Sequence, residues 1–453
     1  MYDLVVIGGG SAGYSAAMTS LDYKKKICII EKGQFGGLCI LKGCMPSKTL
    51  IHSARVSEVI KNADKYGVNI SGKVTFDVPK LINRKNRIIK GFADYRLKNI
   101  KKNKKNIDLI YGEAKFISKN EVKVNNKIIK GKNFLISTGS KTTPSPFKDL
   151  NEIGYITSNE ALELKKLPKS MAFLGGGPVA LEMAYYFSNL GVKCYVIQRG
   201  DHLLGANDED LAIVVENSFR KNGIDVYTCT DLKKFYKKNG KKVIIFDHNK
   251  KKKKLEVDEI FLGFGRSPNV DTLDLQTTNM KLDEKGTPKL NPYLQTSVKN
   301  IYVAGDSNAL LEVVNVAVEH GRVAAKNMFR KKEKIDYHKF PMAVFCHPEV
   351  AWIGLTEKEA EEKKLKVKIG KLLYEDLGKA VCYGEEEGFI KFIVDKKTDR
   401  ILGVAIVGHM ASDIIHEAVP LLYYKATLKD LNNMQHIHPT FGEIYSYIVE
   451  EML

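Results

Sequence analysis

The sequence predicts an α/β protein built on two doubly wound βαβ units. Three observations carry this. A glycine-rich turn joins an apolar run to a helical pattern at Gly8-Gly9-Gly10-Ser11-Ala12-Gly13, and a similar turn recurs at Gly175-Gly176-Gly177-Pro178-Val179-Ala180. The length of 453 residues exceeds what one hydrophobic core usually organises and implies two to four domains.

Leu4 to Ile7 is a continuous apolar run, as expected of a parallel strand buried on both faces, and a helical pattern follows from Ser11 to about Leu21. In the Rossmann-like dinucleotide-binding fingerprint, Gly8 permits the tight turn, Gly10 lets a pyrophosphate approach the backbone, and Gly13 allows close helix-to-strand packing. Ile27-Cys28-Ile29-Ile30 is a second apolar strand and ends in Glu31, where a carboxylate suits an adenosine ribose. Glycine turns alone are common. Strand, glycines, helix, strand and terminal acid in this order are far more specific.

Next comes Gly36-Gly37-Leu38-Cys39-Ile40-Leu41-Lys42-Gly43-Cys44-Met45-Pro46-Ser47-Lys48. A disulfide needs Cα atoms within roughly 4.4–6.8 Å, and one helical turn brings Cys39 and Cys44 to about that separation if a helix begins near Cys39. A helix N-terminus also lowers a thiol pKa, because unpaired N–H groups place positive potential there. The pair reads as a redox couple. A structural zinc half-site and two unrelated buried thiols are the other readings. Zinc clips prefer two to four intervening residues and a second Cys/His pair, and no second Cys-x-x-Cys or His-x-x-x-His follows, so no metal is expected.

The second unit runs from Met171-Ala172-Phe173-Leu174 through its glycine turn to a strand at Val192 to Ile197, and a second dinucleotide is expected on Gly175, Gly177 and Ala180. Pro178 falls in the first helical turn, where a missing N–H costs little. Gln198 and Arg199 close the strand with no acid in the ribose position. A carboxylate would repel a 2′-phosphate and an arginine would attract it, which favours NADPH over NADH; an exposed strand-end arginine is the alternative.

Phe134-Leu135-Ile136-Ser137-Thr138-Gly139-Ser140 reads as a buried strand entering a small-residue turn. Ile301-Tyr302-Val303-Ala304-Gly305-Asp306 reads likewise, with a helix from about Val313 to Met328 behind it. Asp306 could hold a cofactor hydroxyl, and closing turns of a doubly wound sheet are the plainer reading of both segments.

The apolar fraction of 44% is ordinary for a globular protein, and seven cysteines in so long a chain do not make a secreted disulfide framework. Met1 to Ile7 runs straight into a strand without a signal-peptide pattern, and no stretch approaches about 18 apolar residues, so a cytoplasmic protein without a membrane span is expected. The formal charge of +19 raises a nucleic-acid reading. Yet the lysines cluster as Lys101-Lys102, Lys104-Lys105, Lys237-Lys238, Lys241-Lys242 and Lys250 to Lys254, flanked by Asn and Gly as in solvated turns and hairpins, with no interleaved aromatics to stack on bases. Nucleic-acid binding is not expected. The charge could still speed arrival of an anionic pyridine nucleotide.

With fingerprint, cysteine pair and second fingerprint in this order, the chain resembles the flavin-dependent pyridine nucleotide-disulfide oxidoreductases, which include dihydrolipoamide dehydrogenase, glutathione reductase and mercuric reductase. The likeness extends to Gly265-Arg266-Ser267-Pro268-Asn269, to Pro348-Glu349-Val350-Ala351-Trp352-Ile353-Gly354-Leu355-Thr356-Glu357 and to His438-Pro439-Thr440-Phe441-Gly442-Glu443, covering essentially the whole chain. It implies two Rossmann-like dinucleotide-binding domains plus a C-terminal α+β dimerisation domain. The boundaries it suggests are an FAD domain over 1–145, an NAD(P) domain over 146–268, the FAD domain resumed over 269–332, and the interface domain over 333–453.

The resemblance also implies roles. Gly8, Gly10, Gly13 and Glu31 would hold the ADP half of FAD and Asp306 its ribityl chain, with Gly37, Thr138, Gly139 and Gly265 in the same cofactor shell. Cys44 would be the charge-transfer thiolate beside the flavin and Cys39 the thiol that attacks substrate. Gly175, Gly177, Ala180 and Arg199 would serve the nicotinamide dinucleotide, and Lys48 with Glu182 would form an ion pair where hydride arrives. His438 would be the acid and base, oriented by Glu443 and contributed by the partner subunit of a homodimer. An imidazole, with an unperturbed pKa of about 6.5, suits proton exchange between thiols; ordinary loop histidines at 436 and 438 are the plainer reading.

Two departures bear on substrate. Where members often carry Thr-Cys-x-Asn-x-Gly-Cys, this chain has Leu38, Leu41 and Lys42, and no cysteine follows Cys382, as a C-terminal cysteine pair would require. The expected activity is NAD(P)H:disulfide oxidoreduction on a small disulfide or dithiol, most like dihydrolipoamide dehydrogenase; a glutathione-type reductase is the alternative and mercuric reduction is less favoured.

Overall fold

Val5, Val6 and Leu4 are wholly buried, as their uninterrupted apolar run demands, and each such side chain removed from water contributes about 1.5–3 kcal/mol. They belong to β1 (Tyr2–Ile7), which leads into α1 (Ser11–Leu21), β2 (Ile27–Glu31), α2 (Gly37–Leu41), α3 (Cys44–Lys61) and α4 (Val78–Lys102). β3 (Ile107–Tyr111) and the meander β4 (Ala114–Ser118), β5 (Glu121–Val124) and β6 (Lys127–Ile136) follow. This computed structural model describes residues 1–453. The chain forms two compact units: Met1–Thr49 with Lys80–Pro144 and Gly265–Ile335, and Leu50–Pro79 with Ser145–Phe264 and Asp336–Leu453.

In the first unit the sheet runs in the order β3-β2-β1-β6-β5-β4, with the strand Ile301–Val303 also paired to β6. β1 lies parallel to both β2 and β6, setting Ile7 beside Ile30 and Ile136. The ends of these parallel strands, where a doubly wound sheet binds ligands, therefore come together at Gly8, Glu31 and Ser137. α1 lies tightly against the helix Val314–Phe329, since a Cβ at Gly321 would meet the Ala12 carbonyl oxygen at 2.1 Å.

The second unit holds a parallel sheet of Asp225–Tyr227, Lys193–Ile197, Ser170–Leu174 and Glu259–Leu262 in that order, with Pro178–Asn189 as its fingerprint helix. Pro178 occupies the first helical turn. A three-stranded antiparallel sheet over 230–257 follows. There the Lys251 to Lys254 tract forms one strand of a hairpin, as its setting suggests: its backbone pairs with Ile245 to His248 while its lysine side chains remain exposed. The C-terminal part is a five-stranded antiparallel sheet whose Phe392, Val404 and Ile406 share a core with Ile444, Tyr445 and Ile448 of the final helix, Ile444–Met452. No helix is long and apolar enough to cross a membrane.

Candidate active site

In the first unit, Gly8 adopts φ +103° and a Cβ there would meet the Ser137 carbonyl oxygen at 2.4 Å, so only glycine fits. Gly10 opens α1 without a side-chain cap, leaving the first-turn N–H groups pointing at whatever lies before the helix. Gly13 brings α1 so near the turn that a Cβ would stand 2.0 Å from the Gly8 carbonyl oxygen. Glu31 Oε2 accepts from Gly9 N–H at 2.8 Å and Oε1 from Gly33 N–H at 3.1 Å, which fixes the carboxylate at the strand end.

Thr138 Oγ1 is buried with no hydrogen-bond partner in the chain, and beside it Gly139 has open space where a side chain would stand. Asp306 Oδ2 accepts from Ser140 Oγ at 2.7 Å, and Ser140 Oγ accepts from Arg266 Nε at 2.7 Å. Gly265 lies at φ +85° at the start of that segment. An uncapped helix start, an orphaned hydroxyl and a held carboxylate suit a dinucleotide with a polyhydroxyl linker.

The cysteine loop differs from a single helix starting at Cys39. Cys39 lies within α2 and Cys44 is the first residue of α3, with Lys42 and Gly43 between the two helices. Gly43 makes the reversal possible, since a Cβ would already be 3.0 Å from the Leu38 carbonyl oxygen and 3.3 Å from Cys39 Cα. The two thiols are hydrogen-bonded to each other. That bond and burial push the Cys39 thiol up, and the charges of Arg96 and Lys48 pull it back. Gly37, at φ +72°, packs its backbone on Gly10, where a Cβ would come within 2.4 Å of Gly10 Cα.

In the second unit Gly175 repeats the strained turn at φ +111°, and Gly177 opens its helix uncapped with nothing within 4 Å of its missing Cβ. Ala180 is buried, and a Cβ at Gly263 would meet its methyl at 2.9 Å. Gln198 Oε1 accepts from Gly176 N–H at 2.9 Å, an uncharged copy of the Glu31 arrangement, while Arg199 is exposed. Glu182 is buried and accepts from Phe345 N–H at 3.2 Å.

His438 Nδ1 lies 2.8 Å from Glu443 Oε1, and Glu443 Oε2 accepts from Thr440 N–H at 2.7 Å. Burial pushes the Glu443 carboxyl up, but Thr440 and His438 outweigh it and hold it below the usual range. An ionised Glu443 forces the proton onto Nδ1 and leaves Nε2 as the basic lone pair, on a side chain that is 73% exposed. His436, two residues earlier, is held by Glu417 and Ser446, each at 2.6 Å.

The family model described as pyridine nucleotide-disulphide oxidoreductase matches residues 2–321, and the model for that family's dimerisation domain matches residues 340–447. The chain belongs to this family. Among its curated relatives, a dihydrolipoyl dehydrogenase of Chlamydia pneumoniae is 34% identical, over 98% of this chain and 95% of that protein. A mercuric reductase of Staphylococcus aureus is 32% identical over 95% of this chain and 79% of that protein. Among solved structures, the Cu(II) complex of the HOCl-induced flavoprotein disulfide reductase RclA from Escherichia coli superposes with a TM-score of 0.88 at 25% identity, covering 100% of this chain and 99% of that one. This oxidoreductase therefore belongs to an FAD-dependent, pyridine-nucleotide-using class, carries the dimerisation domain, and has the two Rossmann-like domains and C-terminal α+β domain expected.

One residue of the cysteine neighbourhood escapes the sequence reading. Arg96 of α4 donates to Ser11 Oγ at 3.3 Å and to the Gly36 carbonyl oxygen at 3.2 Å. Its signal lies in the stripe Ile82, Ile89, Ala93, Arg96 and Ile100, where a cation holds a core-facing position.

Proposed function

We infer that the protein reduces a small-molecule disulfide with NADPH, or runs the reverse reaction on a dithiol, through a Cys39–Cys44 disulfide. The observation that carries this is the juxtaposition of two mutually hydrogen-bonded sulfurs with the fingerprint turn, through the Gly37–Gly10 contact. Residues 1–145 and 269–332 form the flavin domain, 146–268 the nicotinamide domain and 333–453 the dimer interface. Gly8, Gly10, Gly13, Glu31, Gly37, Thr138, Gly139, Gly265 and Asp306 hold FAD. Held there, FAD would supply two-electron transfer between nicotinamide and the cysteine pair.

The nicotinamide dinucleotide takes Gly175, Gly177 and Ala180, and the absence of an acid at Gln198 together with the exposed Arg199 favours NADPH. In the reducing half, His438 Nε2 takes the Cys39 proton, the Cys39 thiolate attacks one sulfur of the substrate, and the imidazolium returns that proton from Nε2 to the departing thiolate. Cys44 then attacks Cys39, closing the intramolecular disulfide and releasing the second thiol. Glu443 keeps His438 in the required tautomer. The dimerisation-domain match and the exposure of His438 support its service to the partner subunit's cysteines.

A dihydrolipoamide-type dithiol is the favoured substrate, because the dihydrolipoyl dehydrogenase relative is matched along nearly its whole length. A cytoplasmic setting suits working thiols of this kind. Cys39→Ser tests the reading: it should keep flavin and NADPH-dependent dye reduction yet lose disulfide turnover. Unchanged disulfide turnover would overturn the thiol assignment.

A further inference from the structure

Three elements meet at the redox loop, and one of them has no part in the mechanism so far. α4 packs Ile89 and Ala93 against Ile40 of α2, with Leu41 and Met45 at the margin. One turn further along α4 is Arg96. Its Nη1 and Nη2 both donate to Ser11 Oγ at 3.3 Å, and Nη1 donates to the Gly36 carbonyl oxygen at 3.2 Å. Its guanidinium lies over the Tyr14 ring at 5.1 Å from the centroid, and Asn99 Nδ2 holds the Tyr14 hydroxyl at 3.2 Å.

This cation is held by three partners: Ser11, Gly36 and the Tyr14 ring. Ser11 begins the fingerprint helix and Gly36 precedes the helix that carries Cys39. Arg96 thus ties together the same two segments whose backbones touch at Gly10 and Gly37. An arginine suits this anchoring, because its planar fork offers donors to two acceptors while its charge sits over an aromatic ring.

We propose that Arg96 is a positioning residue for the redox loop: it anchors the chain entering Cys39 and sets a permanent positive charge near that thiol, so that the attacking thiolate forms more readily than it would without the cation. The assignment rests on the proposed role of Cys39 as the attacking sulfur. The groups facing Cys39 are Cys44 and Lys48 on α3 and Arg96 on α4. Arg96 and Lys48 both favour the anion; burial lowers the Arg96 pKa somewhat, and the Cys39 charge opposes that. Of the two cations, Arg96 is the one whose contacts also hold the chain entering Cys39.

The test uses flavin-loaded Arg96→Met, Arg96→Gln and Arg96→Lys proteins, reduced anaerobically with a phosphine, freed of reductant and labelled with iodoacetamide between pH 5.5 and 9.5. The rate of Cys39 alkylation is read by mass spectrometry, alongside flavin absorbance. In Met and Gln variants the Cys39 profile should move to higher pH by about half to one unit, slowing labelling at pH 7 by roughly threefold to tenfold. The Lys variant should restore most of that rate. The Gln variant keeps a donor for Gly36 and separates charge from anchoring should the Met protein fold poorly. Superimposable profiles, or a Lys variant that behaves as the Met variant does, would overturn the proposal. Failure of the underlying reading is visible separately, as disulfide turnover that survives Cys39→Ser.

Discussion

His320 should make this protein lose stability on mild acidification. The imidazole is wholly buried in the helix Val314–Phe329, and its Nδ1 accepts from Gly305 N–H at 3.1 Å, one residue before Asp306. Burial depresses its pKa from 6.5 to about 4. Between those values the unfolded chain binds a proton that the folded one refuses, so the stability that His320 protects is fully present above pH 6.5 and is lost as pH falls towards 4. At pH 5 the loss from this one group is about 2 kcal/mol, approaching about 3 kcal/mol at pH 4. His320→Gln retains an acceptor for Gly305 and cannot titrate. Urea denaturation of both proteins at pH 7.5 and pH 5 should show the wild type losing about 2 kcal/mol more than the variant, with flavin released earlier. Equal losses in the two proteins would refute the reasoning, since every other titrating group is common to both.

Further outcomes follow from the same contacts. Gly37→Ala must strain a φ of +72° and separate two backbones that a Cβ would bring to 2.4 Å, so it should cost about 2–5 kcal/mol and lower the flavin-to-protein absorbance ratio; a normal ratio and melting temperature would speak against the Gly10–Gly37 contact. Glu443→Gln cannot enforce the Nδ1–H tautomer of His438 and should slow disulfide turnover by roughly a hundredfold while dye reduction persists; a change under twofold would remove Glu443 from its orienting role. Lys391 is 1% exposed and bonds Asp208 at 2.7 Å and Asp210 at 2.8 Å, so Lys391→Met should destabilise by about 3–5 kcal/mol at pH 7 and by less at pH 5, where the abandoned carboxylates can take up protons; a pH-independent deficit would contradict that.

The parts of the fold most legible in the sequence are those where few residue types can serve. Gly8, Gly13 and Gly175 stand where backbone atoms leave no room for a side chain, and the flanking apolar runs are strands because both their faces are covered. Less legible is geometry set by distant packing. The break between α2 and α3 depends on how Gly43 folds against Leu38, which spacing alone does not express. Arg96 reaches Ser11 and Gly36 across the fold, and Arg55 likewise gathers Glu385 at 3.2 Å and His409 at 2.6 Å from far along the chain.

The transfer of reducing equivalents from nicotinamide to one specific sulfur pair is tested most directly by peptide mapping of the flavin-loaded protein before and after one equivalent of NADPH under anaerobic conditions. A disulfide-linked Cys39–Cys44 peptide that becomes two alkylated cysteines, with the other five cysteines unchanged, is the result expected. Cysteines 39 and 44 found unlinked in the oxidised protein, or a linked peptide that NADPH leaves intact, would contradict it.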